Sequence, residues 1–495
     1  TIYGGEMSAV RAYQPQSLRV SLSSSRPRTP SSKFASPIRR VRSASVRCDS
    51  FRPRVSAAAV ATKDEWLSSA LQVLDQPLDG AASSLAEMKV AAQDALQKSR
   101  VPTTRDEEYR FTDLAKLLGS KICMPAAVTT PAAKLQGMDF PEAEGSHIAI
   151  IDGRVDVSAS DTSSIPSTVY VGTLSDAPEW AVSKLNAQAS TARGNIFTTL
   201  NSATATDVLV VAVPAGVMVT CPLHIMTLAS SAAAADELSA SAQRVLVCVG
   251  KDAGIDIVEE FQTIDGGNGG AFTTSVAEIH LDEGAVLKHG LMQLSAQETG
   301  VHMKTTLVQQ EANSCYKVVE ARLGGNVTRH DLNIEQLGPD TNTTMRHFLL
   351  AGKDQLHDLH SKLILDHPRG VADQLHKCIS VTPTSRGVFD GNVKVNRAAQ
   401  QTDAGQLSRN LLLAPRATVN VKPNLQIIAD DVKCTHGCAV SDLSEEELFY
   451  FASRGIDKDT ARSCLVYSFG AEVLREYGFK ELSSRLQTQM VAMLD

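Results

Sequence analysis

The sequence predicts a mainly β protein: a right-handed parallel β-helix core, preceded by an N-terminal helical region and followed by a C-terminal helical hairpin. From about residue 205 to 432, short runs of Val, Ile, Leu and Thr alternate with brief turns, without a long helical pattern. A turn followed by a strand also recurs, at intervals of 38, 30 and 29 residues. Repeats of this size indicate stacked coils that bury their apolar faces against one another. A β-sandwich remains the alternative, because single strands look alike in both folds.

Residues 1–60 are predicted to be a disordered plastid transit peptide. They contain thirteen Ser, ten Arg and Lys33, but only Glu6 and Asp49 as acids. Such a segment cannot bury enough apolar surface to offset its chain entropy. Arg- and Ser-rich, acid-poor leaders are typical of organelle import, and the Ser-Ser-Ser run at 23–25 favours the plastid. We therefore expect the mature protein in the chloroplast stroma; an ordinary disordered tail is the alternative.

Residues 61–200 are predicted to form an N-terminal helical and mixed region. Between residues 64 and 118, apolar residues recur at spacings of three and four, as on one face of a helix. A short strand is predicted at residues 147–151 and a further helix around residues 178–187.

Residues 201–440 are predicted to form the β-helix core. The stretch 208–235 has no formal charge, but it contains Pro214, Gly216 and Pro222, which interrupt a membrane helix and punctuate strands. It therefore indicates two buried strands and a turn rather than a membrane span. The third residues of the four recurring turn units are Gly216, Gly254, Gly284 and Asn313.

Residues 441–495 are predicted to form a C-terminal helical domain. Ser444 and Glu447 have the spacing of a capping box, and Gly455 stands where a helix would end. Asp457 then begins a second helix whose apolar residues recur every fourth position. The two helices would form a hairpin that offers one apolar face to the body or to a partner.

Composition excludes several classes of function. Residues 61–495 carry a net charge of −16, which argues against a protein whose main task is binding nucleic acid or an anionic membrane. Nine sparse cysteines in 495 residues do not suggest a secreted disulfide scaffold. The sequence contains no P-loop, no His-Glu-x-x-His, no Gly-x-Ser-x-Gly and no Cys-x-x-Cys. It therefore predicts neither nucleotide binding through a P-loop nor a familiar catalytic centre.

The sharpest local feature is the run Cys434-Thr435-His436-Gly437-Cys438. In an extended chain, alternate residues point to one side, so two thiols and an imidazole would face the same space. Such donors suit iron, zinc or copper(I), and thiolates also hold iron–sulfur clusters. A closed tetrahedral site would need a fourth group from elsewhere. Two alternatives stay open: buried thiols beside a structural histidine, or a break at Gly437 that turns Cys438 away.

A weaker candidate metal set is His357, Asp358 and His360, within a stretch where histidines gather. Polar residues that stack on an outer face of a β-helix are the alternative explanation.

Five motifs of this chain follow the pattern of a known family. They are KPNLQIIADDVKCTHG at 422–437, EELFYFASRGI at 446–456, AQQTDA at 399–404, NLLL at 410–413 and, near the start, RDEEYRFTDL at 105–114. On these motifs the chain resembles the SufD family of iron–sulfur cluster assembly proteins, specifically its chloroplast form. The resemblance covers about residues 100–480.

The resemblance implies a non-catalytic subunit of a scaffold complex with a SufB-type paralogue and a SufC-type ABC ATPase. A transient iron–sulfur cluster would be built on that complex, shared with the SufB-type partner. Cys434 and His436 are implied as candidate cluster ligands at the SufB interface. The C-terminal helices are implied to dock the ATPase, and this chain is expected to bind no nucleotide.

One position departs from the family pattern. Many family members have a small apolar residue where this chain has Cys438, so the resemblance assigns that thiol no role. It remains a candidate metal ligand, a redox-sensitive group or a packed side chain. The alternatives for the whole protein are a purely structural β-helix subunit without cluster ligands, an independent metal-binding β-helix protein, and a free-standing β-helix enzyme.

Overall fold

The structure is a computed structural model, and it describes residues 64–76, 83–126, 132–189, 194–264, 267–294 and 300–494. The predicted transit peptide, residues 1–60, lies outside these ranges.

Helices occur near both ends of the described chain. They are α1 (Glu65–Leu74), α2 (Ser83–Leu96), α3 (Ala115–Gly119), α4 (Ala132–Gln136), α5 (Glu179–Val182), α6 (Ile196–Thr204), α7 (Glu445–Ala452), α8 (Lys458–Leu474) and α9 (Lys480–Leu494). None of the helices in the described ranges combines the length and the apolar character needed to cross a lipid bilayer.

Strands fill the middle of the chain. The first ten are β1 (Lys121–Cys123), β2 (His147–Ile151), β3 (Arg154–Asp161), β4 (Tyr170–Thr173), β5 (Leu209–Val213), β6 (Leu223–Ser230), β7 (Glu237–Val249), β8 (Gly254–Ile264), β9 (Gly270–Leu281) and β10 (Val286–Gln293). The others are β11 (Val301–Gln310), β12 (Cys315–Leu323), β13 (Val327–Gln336), β14 (Asn342–Ala351), β15 (Leu356–Leu365), β16 (Val371–Ser380), β17 (Arg386–Val395), β18 (Asp403–Leu412), β19 (Thr418–Ile427) and β20 (Lys433–Ser441).

These strands form a parallel β-solenoid of about seven turns, which confirms the predicted fold class. From β5 onward, successive strands alternate between two sheets, so each coil adds one strand to each sheet. Sheet A runs from β4 and β5 to β19, and sheet B runs from β3, β2 and β6 to β20. Neighbouring coils pair in parallel register. Parallel stacking of successive coils excludes the β-sandwich alternative, whose sheets are antiparallel.

The mixed N-terminal region begins the solenoid. The predicted strand at residues 147–151 is confirmed as β2, which pairs in parallel with β6 and antiparallel with β3. β4 pairs antiparallel with β5 in the other sheet. The charge-free stretch 208–235 contains β5 and β6, whose residues are buried, as predicted.

The apolar core lies between the two sheets, and helices cover the outer faces. Side chains of α1, α2 and α6 pack with outward-facing residues of sheet A, including Phe272 and Met303. The helices α8 and α9 pack on sheet B around Phe348 and Leu350. The predicted helical hairpin is confirmed as α7 and α8, joined at Gly455 with φ +78°.

The structure adds a third C-terminal helix, α9, to the two that the sequence predicted. Leu482, Leu486 and Met490 recur every fourth residue and are fully buried. This spacing is a helical pattern that the sequence contains, so the third helix is predictable from local information.

The coils that lead into β6, β8, β10, β12, β14, β16 and β18 each turn into that strand through one residue with positive φ. The ladders place these residues above one another, and each donates its N–H to a carbonyl of the following coil. The stacked residues are Gly216, Asp252, Gly284, Asn313, Asp340, Arg369 and Gln401. Each of the four predicted turn units precedes a strand of sheet B. In three of them the third residue has positive φ, whereas in the second unit Asp252 has positive φ and Gly254 begins β8.

Gly284→Ala is expected to lower the free energy of unfolding by about 1–2 kcal/mol, because a Cβ is disfavoured in left-handed backbone. Gly284 has φ +69°, and an added Cβ would also meet the Asp252 carboxylate. Gly119→Ala is the matched control, since its Cβ would enter open space. Urea unfolding of both variants measures the difference, and equal stabilities would contradict the prediction.

Candidate functional site

The motif with two cysteines and a histidine lies on β20, the last strand of sheet B. β20 pairs with β18 from Lys433 to Ser441, and no other strand in the described ranges pairs with its second edge. β19 ends sheet A in the same way. We call the surface formed by β19 and β20 the open end. The motif therefore occupies the terminal coil of the solenoid.

Cys434, His436 and Cys438 all face the interior side of that coil. Side chains in register across parallel strands point to the same face, and their three neighbours on β18 are at most 2% exposed. Gly437 continues the ladder without a shift in register, so it does not turn Cys438 away. The predicted common face is confirmed. The in-register pairs are Cys434 with Ala404, His436 with Gln406, and Cys438 with Ser408.

The three side chains differ in exposure because no further described coil covers them. Cys434 is half-buried and packs with Leu425 and Val432 against the main core, whereas His436 and Cys438 are exposed. Burial, with a smaller effect of Asp403, raises the pKa of the Cys434 thiol. Burial also raises the pKa of Cys438. Both thiols therefore favour the protonated form, and a bound metal would have to displace a proton.

The motif does not form a complete metal site by itself. Among the described residues, no three His, Cys, Asp or Glu side chains are arranged to hold a metal ion. Alternate residues of a strand lie about 6.7 Å apart, so one ion can reach two neighbouring donors of the motif but not all three in a straight strand. Any ion or cluster bound here would need further donors from another molecule.

The open end also exposes apolar side chains beside its unpaired strand edges. Ile427 is 46% exposed, Ile428 50% and Val440 45%. An uncovered strand edge is a template for pairing with another chain, and native proteins normally block or cover it. Exposed apolar residues at such an edge mark an interaction site.

Buried polar atoms that make no hydrogen bond in the described part of the chain lie in the two coils below the motif. They are Gln406 Oε1 and Asn410 Oδ1 on β18, one coil below, and His376 Nε2 on β16, two coils below. Gln406 Nε2 donates to Gln374, and Asn410 Nδ2 donates to Ser408. Buried polar atoms normally have a hydrogen-bond partner, so these atoms retain the capacity to bond a water molecule or a ligand. Sequence reasoning missed them, because pairing between coils had to be known first.

The second candidate metal set, His357, Asp358 and His360, is not brought together. His357 points into the solenoid, where its Nδ1 lies 2.6 Å from Thr328 Oγ1. Asp358 and His360 lie on the outer face, with His360 Nε2 3.1 Å from Asp358 Oδ1. Adjacent residues of a strand face opposite sides, so the proposed three-ligand set is wrong.

Asp358 belongs instead to a buried cluster around Arg329. One Arg329 nitrogen lies 2.9 Å from Asp358 Oδ2, and another lies 2.8 Å from Asp331 Oδ1. Burial alone would raise the pKa of Asp358, but His360 and Arg329 overcome this effect and lower it to about 2. The guanidinium also donates to the Glu108 carbonyl oxygen at 2.7 Å. The cluster therefore binds residues 105–114, which we call the strap, to the outer face of sheet A.

The strap also reaches the terminal coil. Lys422 Nζ on β19 lies 2.8 Å from Glu107 Oε1 and 3.3 Å from Asp390 Oδ2. Two sequence motifs that are 315 residues apart thus meet beside the open end.

The helix α7 presents a second apolar surface. Phe449 is 75% exposed and Tyr450 54% exposed, and only Leu448 of this helix is buried. The Arg454 guanidinium stacks on the Tyr450 ring at 3.7 Å. Ser444 caps the helix by accepting from the Glu447 N–H, as its spacing predicted. Large exposed aromatic side chains of this kind are typical of protein interaction sites.

Comparison with family models covers most of the described chain. Residues 230–469 match the model described as "SUF system FeS cluster assembly, SufBD core domain". Residues 72–225 match the model described as "SufBD protein N-terminal region".

Curated relatives align over nearly their full lengths. The chain is 39% identical over 448 residues to Protein ABCI7, chloroplastic, of Arabidopsis thaliana, covering 89% of this chain and 93% of that protein. It is 34% identical to an iron–sulfur cluster assembly SufBD family protein of Synechocystis, covering 82% of this chain and 90% of that protein. It is 26% identical to the iron–sulfur cluster assembly protein SufD of Escherichia coli, covering 78% and 88%.

Proposed function

Because this chain belongs to the SufBD family of the SUF system for iron–sulfur cluster assembly, we propose that it is the SufD-type subunit of a chloroplast scaffold complex. In this proposal a SufB-type paralogue and a SufC-type ABC ATPase are its partners. The chain itself catalyses no reaction and binds no nucleotide. The chloroplastic relative supports plastid location, and the stroma is the compartment we infer.

The observation that carries the proposal is the position of the motif on an uncovered terminal coil. A paralogue with the same solenoid would pair its own edge strands with β19 and β20 and cover Ile427, Ile428 and Val440. Backbone hydrogen bonds would then continue from one chain into the next. This arrangement would bring the partner's donors to Cys434 and His436, which lack a complete ligand set on their own.

We propose that the cluster is cargo, built at this joint and passed on. Cys434 and His436 would contribute a thiolate and an imidazole, and the paralogue would contribute the other ligands. Thiolates hold such clusters, and histidine can replace a cysteine. Nucleotide binding by the ATPase would move the two chains relative to each other and admit iron and sulfide to the joint.

The ATPase would dock on the C-terminal helices. The exposed pair Phe449 and Tyr450 on α7 supplies the apolar anchors that interfaces favour. The helices α8 and α9 are fixed on sheet B, so movement of a docked ATPase would be passed to the solenoid.

The test is co-purification of residues 61–495 with plastid SufB- and SufC-type proteins, with the ATPase rate read on the same sample. A stable complex with an altered ATPase rate would support the proposal. A folded chain that forms no complex would refute it and favour the independent metal-binding alternative.

Within that complex, His436→Ala is expected to lower the cluster yield about tenfold or more, because a ligand is lost, without weakening assembly. Cluster content is measured by iron and sulfide analysis and visible absorption. Asp442→Ala, an exposed change beyond the end of β20, is the control. Normal yield from the His436 variant would rule out its role as a ligand, and normal yield from a double variant with Cys434→Ser would favour a purely structural subunit.

A further inference from the structure

Cys438 has no part in the function proposed above, yet it shares the motif's face. It lies in register with Ser408 and is exposed, and the ladder between β20 and β18 is unbroken on both sides of it. Its side chain therefore follows His436 at the mouth of the solenoid.

Spacing along a strand limits which of the three donors can act together. Neighbouring donors in the motif are two residues apart, or about 6.7 Å, whereas Cys434 and Cys438 are about 13 Å apart. Metal–sulfur and metal–nitrogen bonds are about 2.0–2.3 Å long. A single ion can draw in two donors two residues apart through side-chain rotation, but it cannot join Cys434 to Cys438 in a straight strand. His436 must therefore pair with one cysteine or the other.

The surroundings of the two cysteines distinguish the two pairs. Cys434 is half-buried, lies in register with Ala404 and packs against the apolar core of the solenoid. Apolar surroundings of this kind exclude the water that a metal ion brings. Cys438 is exposed, and its neighbour on β18 is the hydroxyl residue Ser408.

The coil below supplies polar atoms on the same side. Gln406 is in register with His436, and its Oε1 is buried with no hydrogen-bond partner among the described residues. An acceptor in the neighbouring coil can take the N–H of one imidazole nitrogen and leave the other for a metal, as partners of metal-bound histidines commonly do. Asn410 Oδ1, also buried without a partner, belongs to a side chain that contacts Ser408.

We propose that His436 and Cys438 form a donor pair for a thiophilic metal ion on this chain, and that Cys434 lies outside this pair. The pair is accessible from solvent at the open end before any partner binds, so it would take the ion first. The remaining ligands would be water in the isolated chain. The inference rests on the proposed function only for the identification of the ion as material for an iron–sulfur cluster. Binding of the ion by the pair requires no partner chain.

The test is titration of the full chain with Co²⁺, whose bond to a thiolate gives a near-ultraviolet charge-transfer band. Cys438→Ser is expected to abolish the band and to weaken Co²⁺ binding at least about tenfold. Cys434→Ser is expected to keep both. Cys464→Ser removes another exposed cysteine, on α8, and is the matched control. Circular dichroism checks that each variant is folded.

Each other outcome overturns the proposal. A band that survives in Cys438→Ser but is lost in Cys434→Ser assigns the ion to the other pair. Loss of the band in both variants means that three donors act together. A band that persists in both variants, or no band in the unaltered chain, means that the motif does not bind the ion. Co-purification of Cys438→Ser with the two partners is read separately, so a failure to form the complex is distinguished from a failure to bind metal.

Discussion

Lowering the pH from 6.5 to 4.5 is expected to remove on the order of 10 kcal/mol of folding stability, which is comparable to the whole stability of a typical domain. Burial lowers the pKa of His280 and His330 to about 4, and that of His357 and His376 to about 3. Below pH 6.5 the unfolded chain therefore binds protons that the folded chain does not. Each of these histidines contributes a loss of about 1.4 kcal/mol per pH unit.

The sign follows from the direction of the shifts. A histidine with a lowered pKa contributes stability above pH 6.5 and loses it as the pH falls towards the folded pKa. His360 has a raised pKa, because Asp358 outweighs the effect of its burial. The stability that His360 contributes is fully present below pH 6.5, so it does not change between pH 6.5 and 4.5. Glu259 and Asp358, whose pKa values are lowered to about 2, add a further loss only below about pH 4.5.

The test is urea unfolding at a series of pH values for the unaltered chain and for His376→Asn. His376 Nδ1 lies 3.1 Å from Ser408 Oγ, and the asparagine amide can replace that contact without titrating. Between pH 6 and 4, the slope of unfolding free energy against pH should show about one fewer proton taken up on unfolding in the variant than in the unaltered chain. His367→Asn changes a partly exposed ring and is the control. An unchanged slope in the His376 variant would contradict the prediction.

Arg329→Met is expected to lower the free energy of unfolding by about 3–5 kcal/mol, because it leaves buried charges without their partner. Arg329 is 2% exposed and Asp358 is fully buried. The ring of Tyr109 lies 4.1 Å from the guanidinium, so the variant also loses a cation–π contact. The strap should be cut faster in limited proteolysis of the variant than of the unaltered chain, since the contacts of Arg329 with Glu108 and Tyr109 hold it to sheet A.

Arg369→Met is the matched control for that variant. Arg369 also makes a two-nitrogen contact with a carboxylate, that of Asp340, but both side chains are substantially exposed. Exposed ion pairs contribute little, so its effect on urea unfolding should be far smaller. Equal losses of unfolding free energy in the two variants would contradict the prediction, because they would show that burial of the Arg329 cluster does not increase its contribution to stability.

The regular elements of this chain were predictable because they depend on local patterns. The alternating apolar residues and the turn interval of about 30 residues predicted stacked coils, and β5 and β6 lie within the charge-free stretch as expected. The corner residues were less predictable. Arg369 and Gln401 adopt positive φ, although neither belongs to the residue types that are enriched in left-handed backbone. The hydrogen bonds between coils stabilise that backbone, and such bonds depend on the stack.

The sequence predicted that the three side chains of the motif share one face of a strand. It did not predict which side chains surround them. The alternation of a strand suffices to place Cys434, His436 and Cys438 on one side, and it should also have separated His357 from Asp358 and His360. No local pattern indicates that Gln406 and Asn410 lie beneath the motif with unpartnered oxygens. Those positions follow only from the register between β18 and β20.

The repeating coil, the helical ends and the family can be inferred from the amino-acid sequence, because periodicity and motifs are properties of neighbouring residues. The position of the motif on a terminal coil, whose strands have one edge unpaired among the described residues, depends on the three-dimensional fold. So does the contact of that coil with the strap, 315 residues away in sequence, through Glu107 and Lys422. The physical reason is that strand edges, burial and ion pairs between distant segments arise only when the coils stack. Stacking brings together residues that are far apart in the sequence, and no local pattern indicates which of them will meet.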